Sequence, residues 1–177
     1  VEEGGEAVVD MGVLKYSGVY SNSFEPMLRA KVCYPYKTKS TITTCATSRE
    51  VIEAGGESIC VADGEKISTT KVSSSPIQIS SFTEQLSGGD SVTFRIVVEN
   101  KGLGEVYKED STCASLDVPV TTSESQDKIK FTVTPTDITC TAYDGTQSNT
   151  GYLKLDLGKK TLICTMKVQN AGSNYER

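Results

Sequence analysis

The chain of 177 residues contains no histidine and no tryptophan, and none of its six cysteines forms a Cys-x-x-Cys pair. Without histidine there is no Ser-His-Asp or Cys-His arrangement, and the side chain that most easily serves as a general base near neutral pH is missing. Acidic pairs such as Glu109 and Asp110 fall in predicted turns, where solvated charge explains them. The inventory therefore predicts a protein that is not an enzyme and uses no cofactor.

Nucleic-acid binding and membrane insertion also lack their usual sequence signatures. The net charge is −5 and the sequence pI is near 4.9, whereas nucleic-acid-binding proteins carry a basic stripe. The chain has no apolar run of about 18 residues and no basic-then-apolar leader. We therefore expect a secreted, mature form without a signal peptide, no nucleic-acid partner and no direct membrane insertion of this chain.

Two acidic turns, Asp63-Gly64-Glu65 and Asp144-Gly145, offer oxygen atoms of the kind that calcium prefers. The Asp-x-Asp-x-Asp-Gly pattern of a calcium loop is absent, and an Asp-Gly pair is equally typical of a hairpin turn. The cysteine spacings of zinc sites are also missing. We therefore predict no metal site.

The cysteines indicate an oxidising compartment, outside the cell or on its surface, in which they form disulfides. They fall three in each half of the chain, at Cys33, Cys45, Cys60, Cys113, Cys140 and Cys164. If all six are oxidised and the halves are separate domains, at least one bridge must join the halves or join two molecules.

The hydrophobic pattern has a period of two almost everywhere, which predicts an all-β protein built from immunoglobulin-like β-sandwich domains. The serines and proline of 71–76 suggest a connector between a β-rich region, 1–72, and a sandwich domain, 73–177. The first region is expected to be an incomplete sandwich with a donor strand. Its predicted strands are 7–20, 27–36, 40–46, 57–61 and 66–72; those of the second domain are 77–83, 91–99, 105–108, 115–120, 128–134, 137–143 and 152–168, the last broken at Gly158.

Alternation within the second domain predicts which side chains enter its core. The inward positions are expected to include Phe94, Ile96, Val98, Leu153, Leu155, Leu157, Leu162, Cys164, Met166 and Val168. Because Cys140 shares a face with Ile138, a Cys140–Cys164 bridge is the first expectation. For the others, a Cys33–Cys45 bridge across a hairpin and a Cys45–Cys60 bridge remain open, and either leaves one first-half cysteine for Cys113.

The segment Gly89 to Gly104, a strand followed by Asn-x-Gly-x-Gly, resembles the opening of CARDB-type immunoglobulin-like domains of prokaryotic cell-surface proteins. The Leu-x-Leu-Gly run from Leu155 to Cys164 and the segment 32–38 are similar to cysteine-bearing surface proteins of archaea. The resemblance covers most of residues 73–177. It implies a spacer, adhesive or assembly role and carries over no catalytic residue.

The segment Ser21-Asn22-Ser23-Phe24-Glu25-Pro26 is echoed by Ser173-Asn174-Tyr175-Glu176-Arg177. A strand follows the first copy, and unpaired sheet edges are filled in some assemblies by a neighbour's strand, which builds a head-to-tail filament. The competing explanation, chance similarity or a fragment of a longer product, is favoured over strand exchange. The candidate donor strand comprises Met27, Leu28, Ala30, Val32, Tyr34 and Tyr36.

Two classes of function remain on these grounds. The first is a structural subunit of an extracellular filament or pilus, or of another cell-surface assembly, which associates with itself as a homopolymer. The alternative is a monomeric adhesin or carbohydrate-binding module, which needs an aromatic ligand patch, or a component of a virion or appendage. Eight tyrosines and four phenylalanines are the candidates for such a patch.

Overall fold

The computed structural model describes residues 8–13, 15, 17–18, 21–23, 25, 27, 30–46, 63–67, 75–87, 91–113, 124–167 and 175–176. Every regular element within these residues is a β-strand, which confirms the all-β prediction. The strands are β1 (Cys45–Ala46), β2 (Gly64–Glu65), β3 (Ile77–Ser87), β4 (Ser91–Asn100), β5 (Lys128–Thr132), β6 (Ile138–Thr141), β7 (Gln147–Ser148), β8 (Thr150–Lys154), β9 (Lys159–Lys167) and β10 (Tyr175–Glu176).

The strands form one large antiparallel sheet and two pairs. The large sheet has the order β2-β3-β4-β9-β6-β7, and the pairs are β5-β8 and β1-β10. Side chains from the large sheet and from β5-β8 share one hydrophobic core, so these two form facing layers. The immunoglobulin-like topology itself stays a prediction.

Alternating side chains of the two central strands build the core, as the pattern predicts. Phe94 of β4 lies opposite Cys164 of β9, and Ile96 lies opposite Leu162. These four side chains are buried. Between them on β4, Arg95 is exposed. Period-two alternation therefore separates the core face of the large sheet from its solvent face.

The pair β5-β8 supplies the second layer. Leu153 of β8 is buried, and Ile129 and Phe131 of β5 are partly buried against the same core. Gly151 lies opposite Phe131, and a Cβ atom at Gly151 would come within 3.1 Å of the phenylalanine ring. The glycine thus leaves room for the ring to cover the strand.

The prediction that Leu157 points into the core is wrong. Leu157 and Gly158 form the two-residue turn between β8 and β9, with φ angles of 49° and 78°. Asp156 and Lys159 exchange two backbone hydrogen bonds across this turn. Positive φ at both central positions is the geometry that matches the twist of a hairpin, and it turns Leu157 out to solvent, where it is fully exposed.

The predicted strands differ in outcome between the two halves. In the second half, 77–83, 91–99, 128–134, 137–143 and the broken strand 152–168 correspond to observed strands. The stretch 105–108 contains a single bridge from Tyr107 to Gln126 instead of a strand, and 115–120 lies outside the described residues.

The predictions of strands over 7–20 and 27–36 are wrong for the described residues of those ranges, which pair with no strand. In 40–46 only β1 forms, and in 66–72 residues 66–67 form none, whereas 57–61 lies outside the described part. The division at 72/73 also falls outside it, although β2 from the first half pairs with β3 of the second.

Two disulfides join described cysteines. Cys140 and Cys164 are bonded, as expected, and join neighbouring strands of one sheet rather than two facing sheets. Cys33 is bonded to Cys113, so a bridge does join the two halves, and the Cys33–Cys45 alternative is wrong. Cys45 is also disulfide-bonded. Its partner lies outside the described residues, as does Cys60, so the Cys45–Cys60 alternative stays a prediction.

Candidate functional site

The predicted donor strand lies on the surface. Val32 and Tyr34 are largely exposed, and the rings of Tyr34 and Tyr36 lie 6.2 Å apart. Partial burial, together with the nearby Tyr34, raises the pKa of Tyr36. Met27 and Ala30 are exposed as well, and Leu28 lies outside the described residues. These side chains therefore stay available to a partner, with Cys33 among them fixed to Cys113.

A second exposed apolar segment precedes it. Val9, Met11 and Val13 occupy alternate positions, and their side chains are 69%, 68% and 86% exposed. Gly12 has a φ of 73°, and its N–H donates to the Asp10 carboxylate at 2.8 Å, so the segment turns locally. Apolar side chains at alternate positions are what a strand needs to cover a core.

The outer edge of β3 is protected by side chains. Glu65 accepts the N–H of Phe82 at 2.7 Å, and Asp63 accepts the N–H of Leu86 at 2.9 Å. The Thr38 hydroxyl donates to the carbonyl of Ile77. Backbone groups satisfied in this way do not recruit a further strand. The segment Asp63-Gly64-Glu65, which contains β2 and not the predicted turn, therefore protects this edge with its acidic side chains.

Part of the outer edge of β5 pairs with none of the residues that the structure describes. Backbone bonds from Leu155 to Asp127 and from Val133 to Asn149 mark the positions at which β5 faces β8. Because such bonds alternate along an antiparallel pair, the N–H and carbonyl groups of Lys130 and Thr132 point the other way. Within the described ranges, no backbone group bonds to them.

The core beneath this edge is incompletely covered. Ile129, Phe131 and Val133 point toward the core at alternate positions, yet each stays partly exposed. A bridge joins Tyr107 to Gln126, just before β5, so residues 106–108 cover the edge at that point. One further strand next to β5 would remove the remaining apolar surface from water.

A polar cleft of about 500 Å³ lies on the solvent face of β5-β8. Its walls include Lys108, Lys128, Tyr143 and Tyr152, with Asp110 and Glu124. Lys128 is almost fully buried; its Nζ donates to the Tyr143 hydroxyl at 3.0 Å and lies 4.3 Å from the ring centroid. The contact holds the aromatic ring in place through a cation–π interaction.

Two ion pairs hold charged side chains in place at and beside the cleft. Glu109 Oε1 lies 2.6 Å from Lys130 Nζ and accepts from the Tyr152 hydroxyl at 3.3 Å. Its hydrogen bond with Lys130 lowers the pKa of Glu109. Lys108 Nζ lies 2.8 Å from Asp110 and 5.0 Å from the Tyr152 ring centroid. The cleft thus combines tyrosine rings with charges of both signs.

Glu84 is a buried carboxylate at the edge of the core, with 2% of its surface exposed. One oxygen accepts the N–H of Cys45 at 3.1 Å and lies 3.4 Å from Lys66 Nζ. The other oxygen has no hydrogen-bond partner among the described residues. Burial raises the pKa of Glu84 despite the lowering effect of Cys45 and Lys66.

Replacing Glu84 with glutamine is expected to flatten the pH dependence of stability. A raised folded-state pKa means that the folded chain holds the proton more tightly than the unfolded chain does. The stabilising contribution is therefore complete below the ordinary glutamate pKa and is lost as pH rises through the raised value. Over that window wild type should lose up to about 1.4 kcal/mol per pH unit relative to Glu84→Gln.

Urea unfolding at a series of pH values measures this difference. Glu99→Gln is the control, because the hydrogen bond from Lys101 lowers the pKa of Glu99. The Glu99 contribution has the opposite sign: it is present above the ordinary pKa and lost as pH falls. Parallel pH profiles for wild type and Glu84→Gln would contradict the assignment.

Sequence reasoning identified the apolar residues around Tyr34 and included Tyr143 among eight candidate tyrosines, but missed Lys128 and Glu84. Lys128 and Tyr143 come together through the pairing of β5 with β8 and its neighbour, which no local pattern encodes. The position of Glu84 on the core face could have been predicted. It lies two residues after the inward Phe82 on β3, so continued alternation places it on the core face.

Comparisons with known proteins add no relative. No family model, no curated protein and no solved structure matches the chain. The resemblance to CARDB-type domains stays a prediction. Among the described residues, no helix is long and apolar enough to cross a membrane, and no group of three or more histidine, cysteine or acidic side chains is placed to hold a metal.

Proposed function

We propose that the protein is a non-enzymatic structural subunit of an extracellular filament or cell-surface assembly, in which copies join head to tail by strand donation. The observation that carries this proposal is that one chain combines exposed apolar segments with a core face that is only partly buried. Apolar side chains around Met11 and Val32 are exposed in segments that pair with no strand among the described residues, while the core-facing side chains of β5 are only partly buried. Exposed apolar surface of this kind marks an interaction site.

The disulfides support an extracellular location, because oxidised cysteines persist outside the reducing cytosol. The chain contains no histidine, so the catalytic arrangements that depend on it are absent from the sequence. Donor and acceptor are different segments of the chain. A heterologous contact of this type leaves a free donor at one end and a free acceptor at the other, and it therefore propagates.

Mass in solution, measured over a concentration series and paired with electron microscopy, tests the proposal. We expect oligomers whose size grows with concentration and linear filaments on the grid. Measurements with and without reductant separate strand donation from intermolecular disulfides, since strand-joined filaments persist until the fold itself is lost. A monomer at every concentration would contradict the proposal.

A monomeric carbohydrate-binding module is the second candidate, favoured by the cleft of Tyr143 and Tyr152. Tyrosine rings offer apolar faces to sugar rings, and the surrounding charged groups offer hydrogen bonds to hydroxyls. Titration of the monomer with neutral oligosaccharides checks this alternative, with Tyr152→Ala as the matched variant. Binding that is lost in Tyr152→Ala, by a protein that never assembles, would favour it over the filament.

A further inference from the structure

We propose that residues 8–13 of one copy add a strand to the outer edge of β5 in a second copy, with their alternate apolar side chains covering the half-exposed core side chains of β5. This inference rests on the proposed function and specifies its donor and its acceptor. The occupant of the edge is thus another copy of the same chain.

The donor is chosen by comparing the restrictions that a disulfide and a proline place on the two exposed apolar segments. The segment 30–36 is held on its own molecule, because Cys33 is bonded to Cys113 with their Cα atoms 5.7 Å apart. Pro35 within it also lacks the N–H that a paired strand contributes. The segment 8–13 has neither restriction. No side chain of its alternate set, Val9, Met11 and Val13, is buried against its own molecule.

The acceptor is chosen by backbone groups that bond to no described residue. On β3, carboxylates of Asp63 and Glu65 already occupy edge N–H groups, so a new strand would have to displace them. On β5, the outward groups of Lys130 and Thr132 bond to no described residue. An added strand would gain these hydrogen bonds and bury apolar surface in the same step.

The two partners also match in pattern and charge. The donor has apolar residues at every second position, and β5 continues the same spacing toward the core with Ile129, Phe131 and Val133. The first fourteen residues of the sequence contain four acidic and no basic side chains. The paired strands β5 and β8 contain three lysines and no acidic residue. Lys130 is already paired with Glu109 and Lys128 is buried against Tyr143, so the exposed Lys154 is the positive charge that can attract the acidic donor.

Gly12 allows the donor segment to have one backbone conformation in the single chain and another in the assembly. In the single chain it has a φ of 73°, which turns the segment. Glycine takes extended and left-handed conformations with similar ease, so pairing with β5 needs no strained residue to straighten the segment.

Substitutions in the full chain test the donor. The triple variant Val9→Ser, Met11→Ser, Val13→Ser removes the apolar side chains of one face. Val8→Ser is the matched control on the other face, and Val32→Ser with Tyr34→Ser tests the competing segment. We expect the triple variant to raise the concentration needed for assembly by about a hundredfold or more, because three side chains lose their burial. The controls should assemble like wild type.

Thr132→Pro tests the acceptor, because it removes an outward N–H of β5 and leaves the bonds to β8 in place. Thr132→Val is its control, since it keeps the N–H. We expect assembly to be lost in Thr132→Pro and kept in Thr132→Val. Near-ultraviolet circular dichroism and thermal unfolding of each monomer show whether the fold is intact; the triple variant alone decides the donor if Thr132→Pro does not fold.

The failures are distinguishable. If the triple variant assembles like wild type, or if the variant at Val32 and Tyr34 loses assembly instead, the donor is another segment and the inference is wrong while the proposed function stands. If Thr132→Pro folds and still assembles, the acceptor is wrong. If wild type itself stays monomeric, the proposed function fails, and this inference fails with it.

Discussion

Replacing Cys140 and Cys164 together with alanine is expected to lower the free energy of unfolding by about 3 to 4 kcal/mol. The bridge closes a loop between cysteines 24 residues apart, and it joins two neighbouring strands of the large sheet. Both side chains are fully buried in the core. The double variant therefore loses the constraint on the unfolded chain, and the two sulfur atoms leave unfilled space. Equilibrium unfolding in guanidinium chloride measures the change.

The matched control is the pair Cys33→Ala, Cys113→Ala. Its cysteines are 80 residues apart, so chain entropy alone would assign it the larger effect. The chain around Cys33 is exposed and pairs with no strand. Removing that bridge increases the conformational freedom of the folded chain as well as that of the unfolded chain, so the two effects largely cancel. We therefore expect the free energy of unfolding to fall by less than about 1 kcal/mol. A larger loss from the Cys33 pair than from the Cys140 pair would contradict this account.

Phe94→Ala is expected to cost about 3 to 5 kcal/mol, which is the second large effect. Phe94 is 2% exposed and lies on β4, between β3 and β9 in the large sheet. Its ring centroid lies 5.5 Å from that of Phe82, so the truncation removes an aromatic contact as well as apolar burial. Denaturant unfolding of the monomer, followed by circular dichroism, measures the loss.

Ile163→Ala is the control for this truncation. Ile163 lies on β9 next to the buried Cys164, but on the solvent face, where it is 41% exposed. We expect it to cost well under half as much as Phe94→Ala, because less apolar surface returns to water. Equal losses at both positions would show that the core does not lie on the predicted face of the sheet.

Much of the second half could be predicted from the sequence, because its strands alternate strictly. Residues 91–99 and 159–167 place one face in the core, so parity alone assigns Phe94, Leu162 and Met166. The same parity placed Cys140 and Cys164 on one face, and strand pairing brought them together. Where every second residue is apolar, a shift of register would expose the whole face, and the pattern therefore specifies the sheet.

Alternation was misleading where the chain stops pairing. Leu157 continues the spacing of Leu153 and Leu155 but lies in the hairpin turn, since Gly158 follows and both residues take positive φ. The segment 27–36 has a strand-like pattern without a partner strand among the described residues. A pattern records which face could be buried, whereas burial itself depends on what lies opposite.

The candidate site also has one part that could be predicted from the sequence and one part that could not. Local spacing in the sequence predicted strands over 7–20 and 27–36 and named the second as the donor strand, but it did not single out residues 8–13. The part of the β5 edge that pairs with no described residue could not be predicted, since it depends on which strands pair with β5 and on the bridge from Tyr107 to Gln126. The cleft around Lys128 likewise requires the pairing of β5 with β8. Contacts between distant segments are set by topology, and no single segment records them.

Self-association is the central claim, and the mass of the full chain in solution over a wide concentration range tests it most directly. We predict species that grow with concentration, form linear filaments under the electron microscope and keep their mass in the Val8→Ser control. They should be lost when Val9, Met11 and Val13 are changed to serine. A monomer that stays monomeric up to the highest attainable concentration would contradict the account and leave the tyrosine cleft as the better indication of function.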